Sequence, residues 1–143
     1  MEKDFSSIVE LKSIRKQIKG LVERENKLTT PVLSDLGLIP LLYEWFNEAL
    51  EDYGKNPERI TRRREFLFIV LYLYAPGSLI GGRLPDGLRL QIADVFGAVS
   101  ASSVSNYVTN LIFFFERYRT FRRDVTHLYG KIIERLESQR LIK

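Results

Sequence analysis

The chain has no cysteine and a single histidine, His127, among its 143 residues. Without thiols there can be no structural disulfide and no thiolate metal site. The lone histidine has no second histidine or nucleophile in a recognisable arrangement around it, so it reads as a surface or boundary side chain. No catalytic residue, metal or cofactor is expected, and the chain is read as not an enzyme. Long apolar runs are missing as well. The longest, Phe66 to Ala75, has ten residues, about half of the roughly 20 needed to span a bilayer. Met1-Glu-Lys-Asp4 leads into a charged segment with no apolar signal core. A cytoplasmic location with no membrane contact is the expectation. The glycines between Pro76 and Gly87 match neither the P-loop nor the dinucleotide spacing, and no strand precedes them, so nucleotide binding is not expected.

A large excess of one charge is also absent, because the net charge is only +4. Its distribution is uneven. Residues 31–58 carry one Lys against six carboxylates, residues 59–89 carry six Arg against two, and residues 90–143 carry eight basic against five acidic side chains. The basic charge gathers in the later part of the chain, as expected where that part meets a polyanion. The plainer account is a surface charge that keeps the protein dissolved.

What is present is helical periodicity. The pattern predicts an all-α fold, a compact bundle of about five to six helices containing a helix-turn-helix and no wing. Residues 1–30 form an amphipathic N-terminal helix and residues 31–143 a helical domain. In the first helix Leu11, Ile14, Ile18, Leu21 and Leu28 alternate three and four apart, with Glu25 interrupting. This resembles a short heptad seam and makes residues 8–28 a candidate homodimer contact; any surface helix packed on a core shows similar spacing. Pro40 suits the first turn of a second helix reaching about Tyr53. That helix turns Leu41, Leu42, Trp45, Phe46 and Leu50 inward. Glu44, Glu48, Glu51 and Asp52 form a solvated acidic face. Asn56 and Pro57 read as the cap and first residue of a third helix. Its start is basic, and its apolar run Phe66–Tyr74 predicts a central position in the core. Pro76–Gly87 reads as one long loop, with Asp86 as the cap of the next helix.

The most informative stretch is Leu88 to Asn110. Leu88, Ile92, Val95 and Phe96 line one helical face. Gly97 follows where a helix stops in a left-handed conformation that glycine adopts at little cost. Val99 can fill the corner and Ser100 can cap the next helix. Val104, Tyr107, Val108 and Leu111 then form a second apolar stripe. Ile92-Ala93, Phe96-Gly97, Val99-Ser100 and Val104 resemble the pattern of bacterial helix-turn-helix DNA-binding proteins, over residues 88–111. Gly97-Ala98-Val99-Ser100 is one residue longer than the commonest spacing. Together with Tyr118, Phe121 and the basic segment after them, the stretch is similar, more loosely, to small helix-turn-helix proteins of bacterial mobile elements and prophages.

The resemblance implies a sequence-specific DNA-binding protein, a transcriptional regulator or a mobile-element accessory factor, with residues 100–111 in the major groove of double-stranded DNA. Ser100, Ser102, Ser103, Ser105, Asn106, Thr109 and Asn110 face away from the apolar stripe, where hydroxyls and amides reach base edges or phosphates. No Arg or Lys occurs on this helix before Arg117. Phosphate contacts would fall to Arg62, Arg63 and Arg64 on the third helix, Arg83 in the loop, and Arg117, Arg119, Arg122 and Arg123 after the motif. No proline or glycine lies between Ala101 and Tyr129, so the second motif helix can run on, or break only near Thr120. Beyond it, Phe121, Val125, Leu128, Ile132 and Leu136 mark a last amphipathic helix. The rival class is a helical protein–protein interaction module without DNA binding, in which the same helix pair builds a groove.

Overall fold

A computed structural model describes residues 5–97 and 99–142. Among them are seven α-helices and two 3-10 turns, and no strand. The helices are α1 (Ser6–Leu28), α2 (Ile39–Asp52), α3 (Arg59–Tyr74), α4 (Asp86–Phe96), α5 (Ala101–Val108), α6 (Leu111–Arg117) and α7 (Arg119–Ser138); the 3-10 turns are Leu36–Leu38 and Pro76–Ile80. None is long and apolar enough to cross a membrane. The chain divides into two compact units, Met1–Thr30 and Pro31–Lys143.

The first unit is α1, 23 residues long, with none of its residues buried. The second unit is built around α3. Phe66 to Leu71, Leu73 and Tyr74 are all buried, so this helix meets protein around most of its circumference. Tyr72 is the exception and is half exposed. Helices α2 and α7 pack on each other, and both pack on α3. α7 contributes Phe121, Val125, Leu128, Ile132 and Leu136 at helical spacing, all buried, and each such side chain stabilises by about 1.5–3 kcal/mol. The C-terminus of α3 is capped from a distance, because the Leu73 carbonyl accepts from the amides of Val32 and Leu33.

Several local expectations are corrected. α3 begins at Arg59 with Glu58 as its N-cap, so Asn56 and Pro57 lie in the preceding turn. The Asn56 side chain instead accepts a hydrogen bond from Arg62 at 2.9 Å. Asp86 is the first residue of α4 rather than its cap, which is Pro85; it bridges to Arg89 one turn on, at 2.8 Å. The stretch 76–87 is partly ordered into the 3-10 turn Pro76–Ile80.

The largest correction concerns residues 101–129. These residues form three helices, with breaks at Thr109–Asn110 and at Tyr118, where the backbone is extended (φ −112°, ψ 109°). The cause is tertiary. Leu111 is fully buried, and α6 packs on both α7 and the turn Pro76–Ile80. Phe115 stacks on Phe68 of α3 at 4.9 Å. A continuous helix could not deliver this aromatic cluster to α3 and still lay α7 across α2. The Arg122 guanidinium fills part of the second break, donating to the carbonyls of Phe115 and Glu116 at 3.0 and 3.2 Å.

Candidate nucleic-acid interface

Helices α4 and α5 pack closely on each other. Ala93, on α4, is buried and small enough to permit this. The chain leaves α4 through Gly97, at φ 71° and ψ 177°. That region of backbone space is essentially reserved for glycine; the stop falls where the spacing put it, but with ψ extended rather than in the left-handed helical conformation expected. The corner is held from inside by Phe96, whose ring meets Tyr43 of α2 at 6.0 Å and Phe66 of α3 at 6.1 Å. Val99 packs against the core. Ser100 caps α5, its hydroxyl accepting from the Ser103 amide at 3.2 Å. The same hydroxyl shares hydrogen bonds with the side chains of Ser102 and Ser103. These three hydroxyls therefore form one cluster at the start of α5.

Ser102 and Asn106 are exposed along α5, as are Thr109 and Asn110 in the break that follows it, while Val104 is fully buried. The expected outward stripe exists, with two changes. Ser103 is half-buried. Ser105 is half-buried against α4, where it accepts from Arg89 at 3.2 Å. Arg89 holds Asp86 with its other terminal nitrogen and so ties α4 to α5. Its Nε is buried without a partner.

The arginines of α3 reach this surface from the side. Arg64 lies with its guanidinium 4.3 Å from the centre of the Phe114 ring. Together with Ser103, Asn106, Tyr107 and Asn110 it lines a shallow depression. Arg64 is half-buried, yet it makes no hydrogen bond or ion pair with any described residue. Arg63 sits beside it. Its guanidinium lies 5.4 Å from the Phe96 ring centre and within 3.5 Å of both the Phe96 carbonyl and the Tyr107 hydroxyl. Arg62 is spent elsewhere, donating to Asn47 and Asn56.

The remaining arginines are not gathered onto α5 by any contact. Arg117 covers the Phe113 ring at 5.3 Å. Arg122 holds the α6–α7 break, and Arg123 leans on Asp124 at 3.4 Å. Arg83 and Arg119 are exposed and have no hydrogen bond or ion pair among the described residues. The acidic face of α2 does not neutralise the arginines of α3, since Glu48 pairs with Arg135 of α7 instead.

Sequence reasoning missed Arg89 and a buried carboxyl pair. Glu65 is 2% exposed and Asp124 is 9% exposed. Asp124 accepts from the Tyr53 hydroxyl at 3.1 Å, and His127 stacks on the Tyr53 ring at 4.0 Å. Burial, reinforced by the charge of Asp124, pushes the Glu65 carboxyl up to about 7. Arg62 and Lys55 oppose that rise. Among the described residues, no group of three or more His, Cys, Asp or Glu side chains could hold a metal ion.

Comparison with protein-family models, with curated proteins and with solved structures gives no match.

Proposed function

We propose that this is a sequence-specific DNA-binding protein, acting as a transcriptional regulator or as an accessory factor of a mobile element. In this reading α4 and α5 are a helix-turn-helix, and α5 enters the major groove with Ser102 and Asn106, and Thr109 and Asn110 just beyond its end, toward the bases. Asn pairs bidentately with adenine, and hydroxyls serve either strand. The absence of Arg and Lys from α5 is made good by its neighbours, since Arg63 and Arg64 flank it from α3. The observation that supports the reading most is the state of Arg64. Its flat face is occupied by Phe114 while its donors are unspent, and they open beside the amides of Asn106 and Asn110. A guanidinium held in this way suits a phosphate oxygen, because little rotamer freedom is lost on binding.

The test is fluorescence anisotropy with random and genomic-fragment duplexes, from low to physiological salt. Tight binding with a steep salt slope and a preferred subset of fragments is the expected result. Absence of binding even at low salt overturns the reading and leaves the helical interaction module in its place.

A further inference from the structure

Helix α1 shows a long row of apolar side chains at the surface. Leu11, Ile14, Ile18, Leu21 and Leu28 are between 41% and 69% exposed. A helix in a protein draws most of its stability from packing of its apolar face rather than from propensity, and such a row is retained where something covers it. The spacing is three and four in alternation, so Leu11, Ile18 and Glu25 occupy the first core position of successive heptads. Ile14, Leu21 and Leu28 occupy the second.

The charges beside this seam identify the occupant. Glu10 and Arg24 stand on one flank, Arg15 and Val22 on the other. When two copies lie parallel and in register, the flank residue of one heptad meets the opposite flank of the next heptad in the other chain. Glu10 then faces the partner's Arg15, and the symmetry repeats the pair. Glu25, at a core position, falls beside the partner's Arg24, which bounds the hole it enters. An antiparallel pairing loses both contacts. It sets Arg15 beside the partner's Val22 and Gln17 beside the partner's Arg24, and it places the Glu25 carboxylate against the partner's Ile14. Ile18 followed by Leu21 is also the core order that favours two parallel strands. Leu11 and Ile14 reverse that order, so the charges decide.

We infer that α1 pairs with the same helix of a second copy as a parallel, in-register, two-stranded coiled coil, with Glu10–Arg15 and Glu25–Arg24 as its interchain ion pairs. Like-charge contact of the two Glu25 side chains weakens the coil, but a polar core position also fixes register. The inference does not depend on DNA binding. It implies two identical surfaces per particle, held by an association weak enough to be concentration-dependent.

The test uses the full-length chain. Sedimentation equilibrium at micromolar concentration should give a dimer mass. Ile18→Asp should raise the dissociation constant by at least about 100-fold, because it buries two unpaired charges in the seam. Emission of Trp45, the one tryptophan and 4% exposed within the second unit, reports whether the rest of the chain remains folded in that variant. Orientation is read by cross-linking, which the cysteine-free chain makes clean. Leu11→Cys should form a disulfide-linked dimer with itself under mild oxidation. A monomer mass, a trimer or larger species, or an unchanged dimer in Ile18→Asp each overturns the inference. So does a Leu11→Cys chain that cross-links only when mixed with Leu28→Cys, which is the antiparallel outcome.

Discussion

Arg64 and Phe114 lie 50 positions apart in the chain, yet the guanidinium of one rests 4.3 Å from the ring centre of the other. The contact orients Arg64 without using any of its hydrogen-bond donors. Replacing it with alanine should therefore leave the fold nearly intact and weaken DNA binding on all sequences alike. We expect a loss of roughly tenfold and a salt slope reduced by about one. Anisotropy titrations at several salt concentrations measure both; unchanged binding would remove Arg64 from the interface.

Asn106→Ala should behave differently. Its amide is exposed on α5 in the same depression, so its loss should relax sequence preference, by about 1–3 kcal/mol at one base pair. Competition between preferred and random duplexes separates the two effects. Equal loss on both would deny Asn106 a base-reading role.

Glu65 supplies a pH signature. Its carboxyl titrates at about 7 in the folded chain, against 4.5 ordinarily, so the fold favours the protonated acid. That stabilisation is fully present below pH 4.5 and is lost as the pH rises through 7. The loss is on the order of 3 kcal/mol between pH 5 and 8. Thermal melts across that range should show stability falling with pH more steeply in the native chain than in Glu65→Gln. Parallel curves for the two proteins would refute the assignment.

The turn between α4 and α5 can be tested through stability alone. A methyl group at Gly97 meets nothing within 4 Å, so Gly97→Ala acts through backbone strain alone. It should cost about 1–3 kcal/mol, seen as a lower midpoint in denaturant. Ser100→Ala removes the cap of α5 and should cost about 1 kcal/mol. A Gly97→Ala chain as stable as the native one would mean that the turn relaxes to another conformation.

These cases show what the amino-acid order reveals. Gly97 and Ser100 announce the turn because their roles are local: one permits a backbone angle, the other caps the helix it precedes. The apolar stripes of α2, α3 and α7 are equally plain, since a period near 3.6 survives any tertiary arrangement. The break at Asn110 is hidden because neither proline nor glycine makes it, whereas the one at Tyr118 falls two residues before the stop that the sequence offers near Thr120. Both breaks exist so that Leu111 and Phe115 can reach the core. The candidate interface follows the same rule. Its outward stripe on α5 was visible, but the partition of the arginines depends on distant contacts. Only the fold separates Arg64, whose donors are unspent, from Arg62, which is committed to Asn47 and Asn56. Arg63 is intermediate: it touches Phe96 and Tyr107, so its replacement should disturb the corner as well as any bound phosphate.

The packing of α7 on α2 and α3 bears on how the protein comes into being on the ribosome. The side chains that close the core lie at positions 121–136, whereas those they cover begin at Ile39. While synthesis is under way, α2 and α3 emerge with the faces that α7 will cover still bare. Folding of this unit must wait until nearly all of it has left the exit tunnel. During that interval the run Phe66–Tyr74 is open to chaperones and proteases. A nonsense mutation shortly before Phe121 would thus produce a chain marked for degradation rather than a shortened functional protein, even though every residue of α4 and α5 had been made.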